Sequence, residues 1–590
     1  KSFAYLVPLI LHSIKNGEKI VISTNTKSLQ QQMTDKDLPF LKKMMNGQDQ
    51  DFTFKVFYGS NNYICLKKTE EFLFGNHLGL YLKQKDRDRL VEYINHPASS
   101  GIRYDIKLDM DNQVWMNLNR DADLCLKKNC RFYNSCFYYK NVKEVFQTDI
   151  IVVNHHLFFA NIRSGYSLLP RFNVFVWDEA HNVEDVASRF LADTVSETEV
   201  QFLLNQIMML KESGGTGEGP GDNLTSQHQI RELQNSFKEF FDHVRRNFKN
   251  NTRVRDQVLP NDILLRMESS LPVIRNYLKL FENMSDETDQ ELDLIYRKLL
   301  QIRDNLGFFL AHDDEEYVYW IEKTGRREYV ELKHTPINIA GYLNTKVFSI
   351  YPTGILTSAT LSTNNDFQFI KSRLGLKECR ERIFPSPFNF RKQVRLYFNK
   401  DLALPAEEKG YIHDISREIT RLLKITQGKA FILFTSYETL KQVKKKIEGE
   451  VEYKLLVQNE KPFPRLLAEF KKDINSVLMA TMSFWEGVDV PGEALSSVII
   501  TRLPFDMPDD PIVSARIEYM KKHDANPFME YQLPNAIILL KQGFGRLIRN
   551  STDRGIVAIL DSRIARKSYG RIFLNSLPEC GMLEEEYDWE

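Results

Sequence analysis

The chain has 590 residues, 42% of them hydrophobic and 27% charged, a composition that excludes wholesale disorder. Its 79 lysines and arginines balance 79 aspartates and glutamates, so a polyanion must be met by local basic patches and not by a global field. No apolar run reaches the ~20 residues of a bilayer span, no signal-peptide pattern opens the chain, and six cysteines in this length exclude a disulfide scaffold, which leaves a reducing cytoplasm as the expected setting.

Lys1-Ser2 leads into an apolar helix, FAYLVPLILHSI, followed by a turn at Asn16-Gly17 and the β-branched run Lys19–Thr24. This is the helix–strand half of a parallel-sheet unit. Short buried strands are expected at Ile150–Asn154 and Val174–Trp177, the second ending in Asp178-Glu179-Ala180-His181. The long stretch between the first two strands holds Cys65, Cys125, Cys130 and Cys136 and reads as an insertion. Adjacent His155-His156, read as strand residues, point to opposite faces and do not share one ion; their expected role is structural or in nucleic-acid contact.

From about Asp185 to Asp304, helix formers at recurrent apolar spacing dominate. The glycine-rich piece Ser213–Leu224 interrupts them; with no strand before it, it reads as a surface loop and not a phosphate cradle. A strand at Ile355–Thr360 comes next. Then Ala430–Phe434, Ser476–Ala480, Ser497–Thr501 and Ile556–Leu560 alternate with helical segments as a second parallel α/β unit. The acidic end Glu584–Glu590 reads as solvated surface.

Chemistry concentrates in three places. Lys1-Ser2, at the head of a helix that feeds a strand, suits a lysine reaching β/γ-phosphates and a hydroxyl on Mg²⁺. Asp178 and Glu179, delivered by a strand end into the crevice where parallel sheets bind ligands, suit a Mg²⁺ shell and an activated water; helix capping is the plainer use of such acids. Gln542-Gly-Phe-Gly-Arg546-Leu-Ile-Arg549 places two guanidiniums three apart, on one expected helical face, able to stabilise charge in phosphoryl transfer.

Cys125-x₄-Cys130-x₅-Cys136, with Cys65 upstream, gathers four thiols. Spacing alone leaves structural zinc, an iron–sulfur cluster and apolar filling all open. Leu124–Lys143 has no acidic residue, and Lys127, Lys128, Arg131, Lys140 and Lys143 interleave with Phe132, Tyr133, Phe137, Tyr138 and Tyr139. Cations beside stackable rings suit a single-stranded nucleic acid; packing around a metal centre is the competing use of the rings.

Taken in order, Lys1-Ser2, Asp178–His181, Thr357–Thr360, the run FWEGVDVP at Phe484–Pro491 and QGFGRLIR at Gln542–Arg549 resemble the motif set of superfamily 2 helicases. The match is to the DinG/XPD branch, its bacterial DinG members above all, and it covers essentially the whole chain. The resemblance implies an α/β fold of two RecA-like parallel-sheet domains, with an iron–sulfur insertion and a helical Arch insertion in the first. The implied division is 1–58, 149–188 and 336–365 for the first RecA-like domain, the rest of its phosphate loop lying ahead of Lys1. The iron–sulfur insertion takes 59–148, the Arch 189–335 and the second RecA-like domain 366–590.

The resemblance further implies an ATP-dependent helicase that moves 5′→3′ on single-stranded DNA and opens duplexes, forks, D-loops or R-loops in repair and replication. Lys1, Ser2, Asp178 and Glu179 would hold and hydrolyse ATP with Mg²⁺, and Gln542, Arg546 and Arg549 would reach the nucleotide from the second domain. Glu486, Gly487 and Asp489 would sense nucleotide and strand, while Ser358 and Thr360 would couple hydrolysis to closure. Thr24, Thr26, Thr435 and Ser436 would grip DNA phosphates, joined by Lys127, Lys128, Arg131 and Tyr133. Cys65, Cys125, Cys130 and Cys136 would bind a 4Fe–4S cluster. The implied protein is a monomer, cytoplasmic and nucleoid-associated, away from membranes, with single-strand-binding protein as a candidate partner. An RNA-preferring translocase and a non-catalytic nucleic-acid scaffold are the rival readings.

Overall fold

The computed structural model describes residues 1–45, 51–74, 82–106, 108, 112–213, 222–255, 258–281, 285–325, 327–481 and 495–583. Most of the glycine-rich piece, the FWEGVDVP run with Glu486, Gly487 and Asp489, and the acidic end lie outside the described residues. Contacts divide the chain into two units. One is Lys1–Asp178 with Asn182–Leu356 and Asp509–Ala515; the other is Glu179–His181 with Thr357–Pro508 and Arg516–Glu590.

Strands of the first unit follow in chain order as β1 (Ile20–Thr24), β2 (Phe54–Val56), β3 (Ile150–Asn154), β4 (Val174–Asp178), β5 (Asp193–Ser196), β6 (Thr252–Val254), β7 (Tyr317–Thr324), β8 (Tyr329–Pro336) and β9 (Thr353–Thr357). A five-stranded sheet runs β2-β3-β1-β4-β9, and β1 pairs in parallel with both β3 and β4. Its central strands read IVIST, IIVVN and VFVWD, nearly continuous apolar runs that suit a sheet covered on both faces. The helix Ser2–Asn16 packs Leu6 and Ile10 onto that sheet and stops at Gly17, whose φ of 65° makes a left-handed cap. Parallel pairing puts the C-terminal ends of β1, β3 and β4, and so Thr24, Asn154 and Asp178, on one edge.

The helix-rich stretch carries the helices Glu197–Ser213, Asp222–Asn247, Asp262–Lys279 and Asp286–Ala311. It also carries an antiparallel sheet, β5-β8-β7-β6, that the sequence reading left out. The hairpin β7–β8 turns at Gly325 and alternates buried with half-exposed residues along β8. The strands read YVYWIEKT and YVELKHTP; the second alternates, whereas the first buries four residues in a row and gives no two-residue period.

The second unit contributes β10 (Val394–Phe398), β11 (Ala430–Phe434), β12 (Leu455–Val457), β13 (Val477–Thr481), β14 (Ser497–Ile500), β15 (Gly555–Ile559) and β16 (Gly581–Met582). They form one seven-stranded sheet in the order β12-β13-β11-β14-β15-β10-β16, and its pairs are parallel. The expected strands fall on β11 and within one residue at the ends of β13, β14 and β15. The expected strand Ile355–Thr360 ends early, at Thr357, because the Ser358 hydroxyl accepts the Thr360 N–H at 3.2 Å and turns the chain out of the ladder. Among the described residues no helix is long and apolar enough to cross a membrane.

Candidate nucleotide site and cysteine lobe

β4 ends in Asp178, 3% exposed, and two groups of the first helix converge on its carboxylate. Lys1 Nζ lies 2.6 Å from Oδ1, and the Tyr5 phenol donates to Oδ2 at 3.1 Å. Burial, followed by the charge of Asp178, holds the Tyr5 phenol far above its ordinary pKa, so it stays a donor. The Ser2 hydroxyl lies near the same phenol and near Asp37, easing the pKa of each downward. Lys1 and Asp178 are therefore in direct contact, with Ser2 beside them.

His155 ties the sheet edge together. It is fully buried, with Nδ1 2.7 Å from Ser23 Oγ on β1 and Nε2 3.1 Å from the Asp178 carbonyl oxygen on β4. The strand assignment of His155-His156 is corrected: both open the helix His155–Arg163, because the Asn154 side chain caps it by accepting the Leu157 N–H at 2.9 Å. The structural role holds for His155, whereas His156 reaches solvent with its ring partly covered.

Glu179 takes the left-handed region, φ 56°, a costly setting for a residue with a side chain and one typical of functional sites. Its Oε2 accepts the Ser358 hydroxyl at 3.0 Å. Ser358 Oγ lies 2.7 Å from His181 Nδ1, and the Gln542 carboxamide nitrogen meets His181 Nε2. Donor counting sets the direction of this chain. A carboxylate only accepts, so the single Ser358 proton goes to Glu179. Ser358 Oγ then accepts from His181 Nδ1–H, which leaves Nε2 with a lone pair for the Gln542 N–H. His181 thereby bridges Ser358 and the Gln542 carboxamide through its two ring nitrogens. The Gln542 carboxamide oxygen is buried and has no partner among the described residues, which leaves an acceptor available to a water or hydroxyl.

Gln542 lies near the end of the helix Leu533–Phe544. The helical face expected for Arg546 and Arg549 is corrected: the helix stops at Phe544, with Gly545 as its cap, and both arginines sit in the turn beyond. Two glycines in three residues make continued helix unfavourable. Asp553 then holds the turn, its Oδ2 accepting the Arg549 and Asn550 N–H groups at 2.7 and 2.9 Å. Thr360 sits beside Ser358, the hydroxyl oxygens 3.3 Å apart.

The expected phosphate-gripping hydroxyls occupy equivalent strand–helix junctions in the two units. Thr24 ends β1, and Thr26 caps the helix Lys27–Gln32 by accepting the Leu29 N–H at 3.3 Å. Thr435 follows β11, and Ser436 caps the helix Tyr437–Ile447 by accepting the Thr439 N–H at 3.1 Å. The Ser436 proton goes on to Thr439 Oγ1 at 2.8 Å, so as placed that hydroxyl serves the helix.

In the cysteine lobe, Ile64 donates its N–H to Gly101 O at 2.8 Å, Cys65 to Leu118 O at 2.7 Å and Arg120 to Tyr63 O at 2.8 Å. Gly101 has φ 71°, and a Cβ there would lie 2.3 Å from the Phe137 ring, so only glycine lets these segments meet. Cys65, Cys125, Cys130 and Cys136 are all half-buried. The Lys127 N–H donates to Cys125 Sγ at 3.4 Å, and Cys136 immediately precedes the helix Phe137–Val145 without a side-chain bond to it. Backbone amides of Lys68, Phe132 and Tyr138 face Cys65, Cys130 and Cys136 respectively, although burial outweighs them and pushes these thiols up. Four soft donors facing amide hydrogens are a donor set for thiolate ligation. No three His, Cys, Asp or Glu side chains among the described residues stand close enough to hold an ion as placed.

The structure sorts the aromatic residues of this lobe. Phe137 and Tyr138 are buried, Tyr138 edge-on to Tyr63 at 5.4 Å, while Tyr133 and Tyr139 stand half-exposed with ring centres 4.7 Å apart. Lys127 and Lys128 are exposed. Arg131 is engaged by Glu70, an acid from outside the cysteine triplet that the local charge count left out.

Four further residues carry signals that the sequence reading passed over. His181 was in plain view as the last letter of the acidic motif, and Tyr5 follows Lys1 by one helical turn. Lys27 and Arg189 lie near His156; partial burial, then their positive charges, hold its imidazole below the ordinary value.

A lysine brought to a buried strand-end aspartate, and a neighbouring glutamate linked through serine and histidine to a glutamine, are the parts of a nucleoside-triphosphate hydrolase built on parallel sheets. Family models match at residues 96–200, described as DEAD_2, and at 419–580, described as Helicase C-terminal domain. The ATP-dependent DNA helicase YoaA of Haemophilus influenzae is 31% identical over 591 residues, 98% of this chain and 88% of that protein. The ATP-dependent helicase DinG of Mycobacterium tuberculosis is 28% identical over 601 residues, again 98% and 88%. The chain belongs to this YoaA/DinG family of ATP-dependent DNA helicases. A solved structure titled XPD helicase aligns with TM-score 0.53 at 15% identity, covering 98% of each chain; it bears on the fold alone, that of two RecA-like domains.

Proposed function

We propose that this chain is an ATP-driven motor that moves 5′→3′ on single-stranded DNA and parts duplexes at forks, D-loops or R-loops during repair and replication. The observation that carries the reading is the directed hydrogen-bond chain Glu179–Ser358–His181–Gln542. Glu179 is placed to take a proton from an attacking water, and the free Gln542 oxygen to orient that water. Lys1, held by Asp178 in this structure, turns to the β/γ-phosphates when Asp178 takes up its metal role. Mg²⁺ supplies charge neutralisation of the phosphates when bound. Arg546 and Arg549 add planar cations for the transferred group, and Glu486, Gly487 and Asp489 sense the nucleotide and the strand. Ser358 and Thr360, sharing the hydrogen-bond chain, couple hydrolysis to domain closure.

On the DNA side, Thr24, Thr26, Thr435 and Ser436 meet phosphates from the two strand–helix junctions. Lys127, Lys128 and Tyr133 extend the path over the cysteine lobe, with Arg131 available once it leaves Glu70. The four cysteines hold a 4Fe–4S cluster that pins this lobe as a wedge. The reading takes the chain as a monomer in the cytoplasm, near the nucleoid, that meets strands coated by single-strand-binding protein.

Lys27, Arg189 and His156 add a pH-dependent contact. His156 is neutral at pH 7 because its pKa lies below the ordinary value. Phosphates arriving beside Lys27 and Arg189 favour the imidazolium, so binding takes up a proton and affinity rises as pH falls through the ordinary histidine range. Titrating single-stranded DNA at pH 7.5 and at 5.5 is expected to show tighter binding at the lower pH, and His156→Gln is expected to flatten that difference.

Tailed duplexes test the whole reading. The full-length protein with ATP is expected to open DNA carrying a 5′ tail and to leave 3′-tailed DNA and all-RNA duplexes closed. Preferential opening of RNA would move the assignment to the RNA translocase.

A further inference from the structure

Tyr104 is an aromatic residue of the cysteine lobe that neither the family motifs nor the proposed DNA path includes. It is 51% exposed, yet its backbone is fixed. The Arg103 N–H donates to Asn62 O at 2.9 Å, Asp105 to Ile102 O at 3.0 Å and Ile106 to Arg103 O at 3.3 Å, so Tyr104 rides on a turn bonded on either side of it. The Asp105 carboxylate is occupied by the Ser100 hydroxyl, and Ile106 is buried. This turn reaches the sheet edge where Thr24 and Thr26 stand. β2 pairs in parallel with β3, so the residues after β2 leave from the same edge as Thr24 and Asn154. There Lys27, one residue past Thr26, donates to Asn62 Oδ1 at 3.0 Å and to the Tyr104 phenol oxygen. The buried Tyr58 stands beside Tyr104, with ring centres 6.5 Å apart.

An ammonium has three protons, and the bonds to Asn62 and Tyr104 leave one for a phosphate oxygen. A cation that can take the backbone, steadying an exposed ring that can take a base, is the pairing that suits a single strand. We propose that Tyr104 is a stacking platform for a nucleobase: a phosphate held by Lys27 brings its base onto the Tyr104 ring, where the first sheet meets the cysteine lobe. The site accepts any base, because every base has a π-face. Lys27 meets the ring at its phenol end and so orients it without being part of the stack. The inference rests on the proposed DNA path at Thr24, Thr26 and Lys27, and on no metal in the lobe.

The test uses the full-length protein as wild type, Tyr104→Phe, Tyr104→Leu and Tyr104→Ala. Affinity for labelled oligo-dT and for an abasic strand of equal length is read by fluorescence anisotropy, at a salt concentration where wild type holds both. On oligo-dT, Y104A and Y104L are expected to bind about tenfold more weakly than wild type, the scale of one lost stack, and Y104F to stay near wild type. On the abasic strand all four are expected to bind alike, since there is no base to stack. Y104L keeps an apolar side chain on the turn and decides the matter should Y104A fail to fold. Y104L equal to wild type on oligo-dT overturns the proposal. So does an equal loss on the abasic strand, which makes Tyr104 a staple for Lys27, and so does Y104F falling as far as Y104L, which makes the hydroxyl the working group. Wild type that fails to bind oligo-dT refutes the DNA reading itself, and this inference with it.

Discussion

Glu179→Gln in the full-length protein is expected to lower ATP turnover by about 10²- to 10⁴-fold, the range of a lost general base, while the KM for ATP stays nearly unchanged. Glutamine keeps an acceptor oxygen for the Ser358 hydroxyl, now 3.0 Å from Oε2, so the chain through His181 to Gln542 survives and so does the fold. What is lost is the capacity to take a proton. Gln542→Ala removes the donor to His181 and the buried free acceptor together, and its turnover is expected to fall in the same range. A steady-state ATPase series with melting temperatures checks both. Substitutions that leave turnover intact, or that lower it only in proportion to unfolded protein, remove Glu179 and Gln542 from the chemistry.

Cys130→Ser is expected to strip iron from the protein and to abolish strand separation while ATP hydrolysis stimulated by single-stranded DNA persists. The separation of effects follows from position. Lys1, Asp178 and His155 stand on the edge of the first sheet, whereas Cys130 lies between the 3₁₀ turn Lys127–Asn129 and the helix Phe137–Val145, in a lobe stitched together by short backbone bonds and few strands. With helices joined by such bonds and no strand ladder between them, the lobe is expected to gain order from ligation by its cysteines. Wild type is expected to be brown and to carry about four iron atoms per chain. Cys379→Ser, at an exposed thiol distant in sequence from the lobe, is expected to keep both iron and unwinding. Zinc in place of iron, or unwinding by metal-free C130S, contradicts the cluster as a structural pin.

Much of this was legible from residues alone. Runs such as IVIST, IIVVN and AFILF permit one reading, a strand buried on both faces, and the strands lie where the runs are. Asp178 was legible because an acid ending such a run has one place to go. Legibility failed where long-range partners decide. Glu70, far from the cysteine triplet in sequence, claims Arg131; Gly545 and Asp553 take Arg546 and Arg549 off the helix that their spacing suits; and an Asn154 cap turns His155-His156 from strand to helix. The hairpin β7–β8 lies beyond the helical stretch that ends near Asp304, and β7, with four consecutive buried residues, lacks the alternation that β8 shows.

Motion along DNA fuelled at Glu179 requires that the polynucleotide and the nucleotide feel one another. The direct measurement is ATP hydrolysis by the full-length protein with and without an unstructured DNA oligonucleotide. The account predicts turnover raised at least tenfold by the oligonucleotide in the wild type, and in E179Q turnover far below the wild-type basal rate with or without the oligonucleotide. Hydrolysis indifferent to DNA, or absent altogether in the wild type, contradicts it.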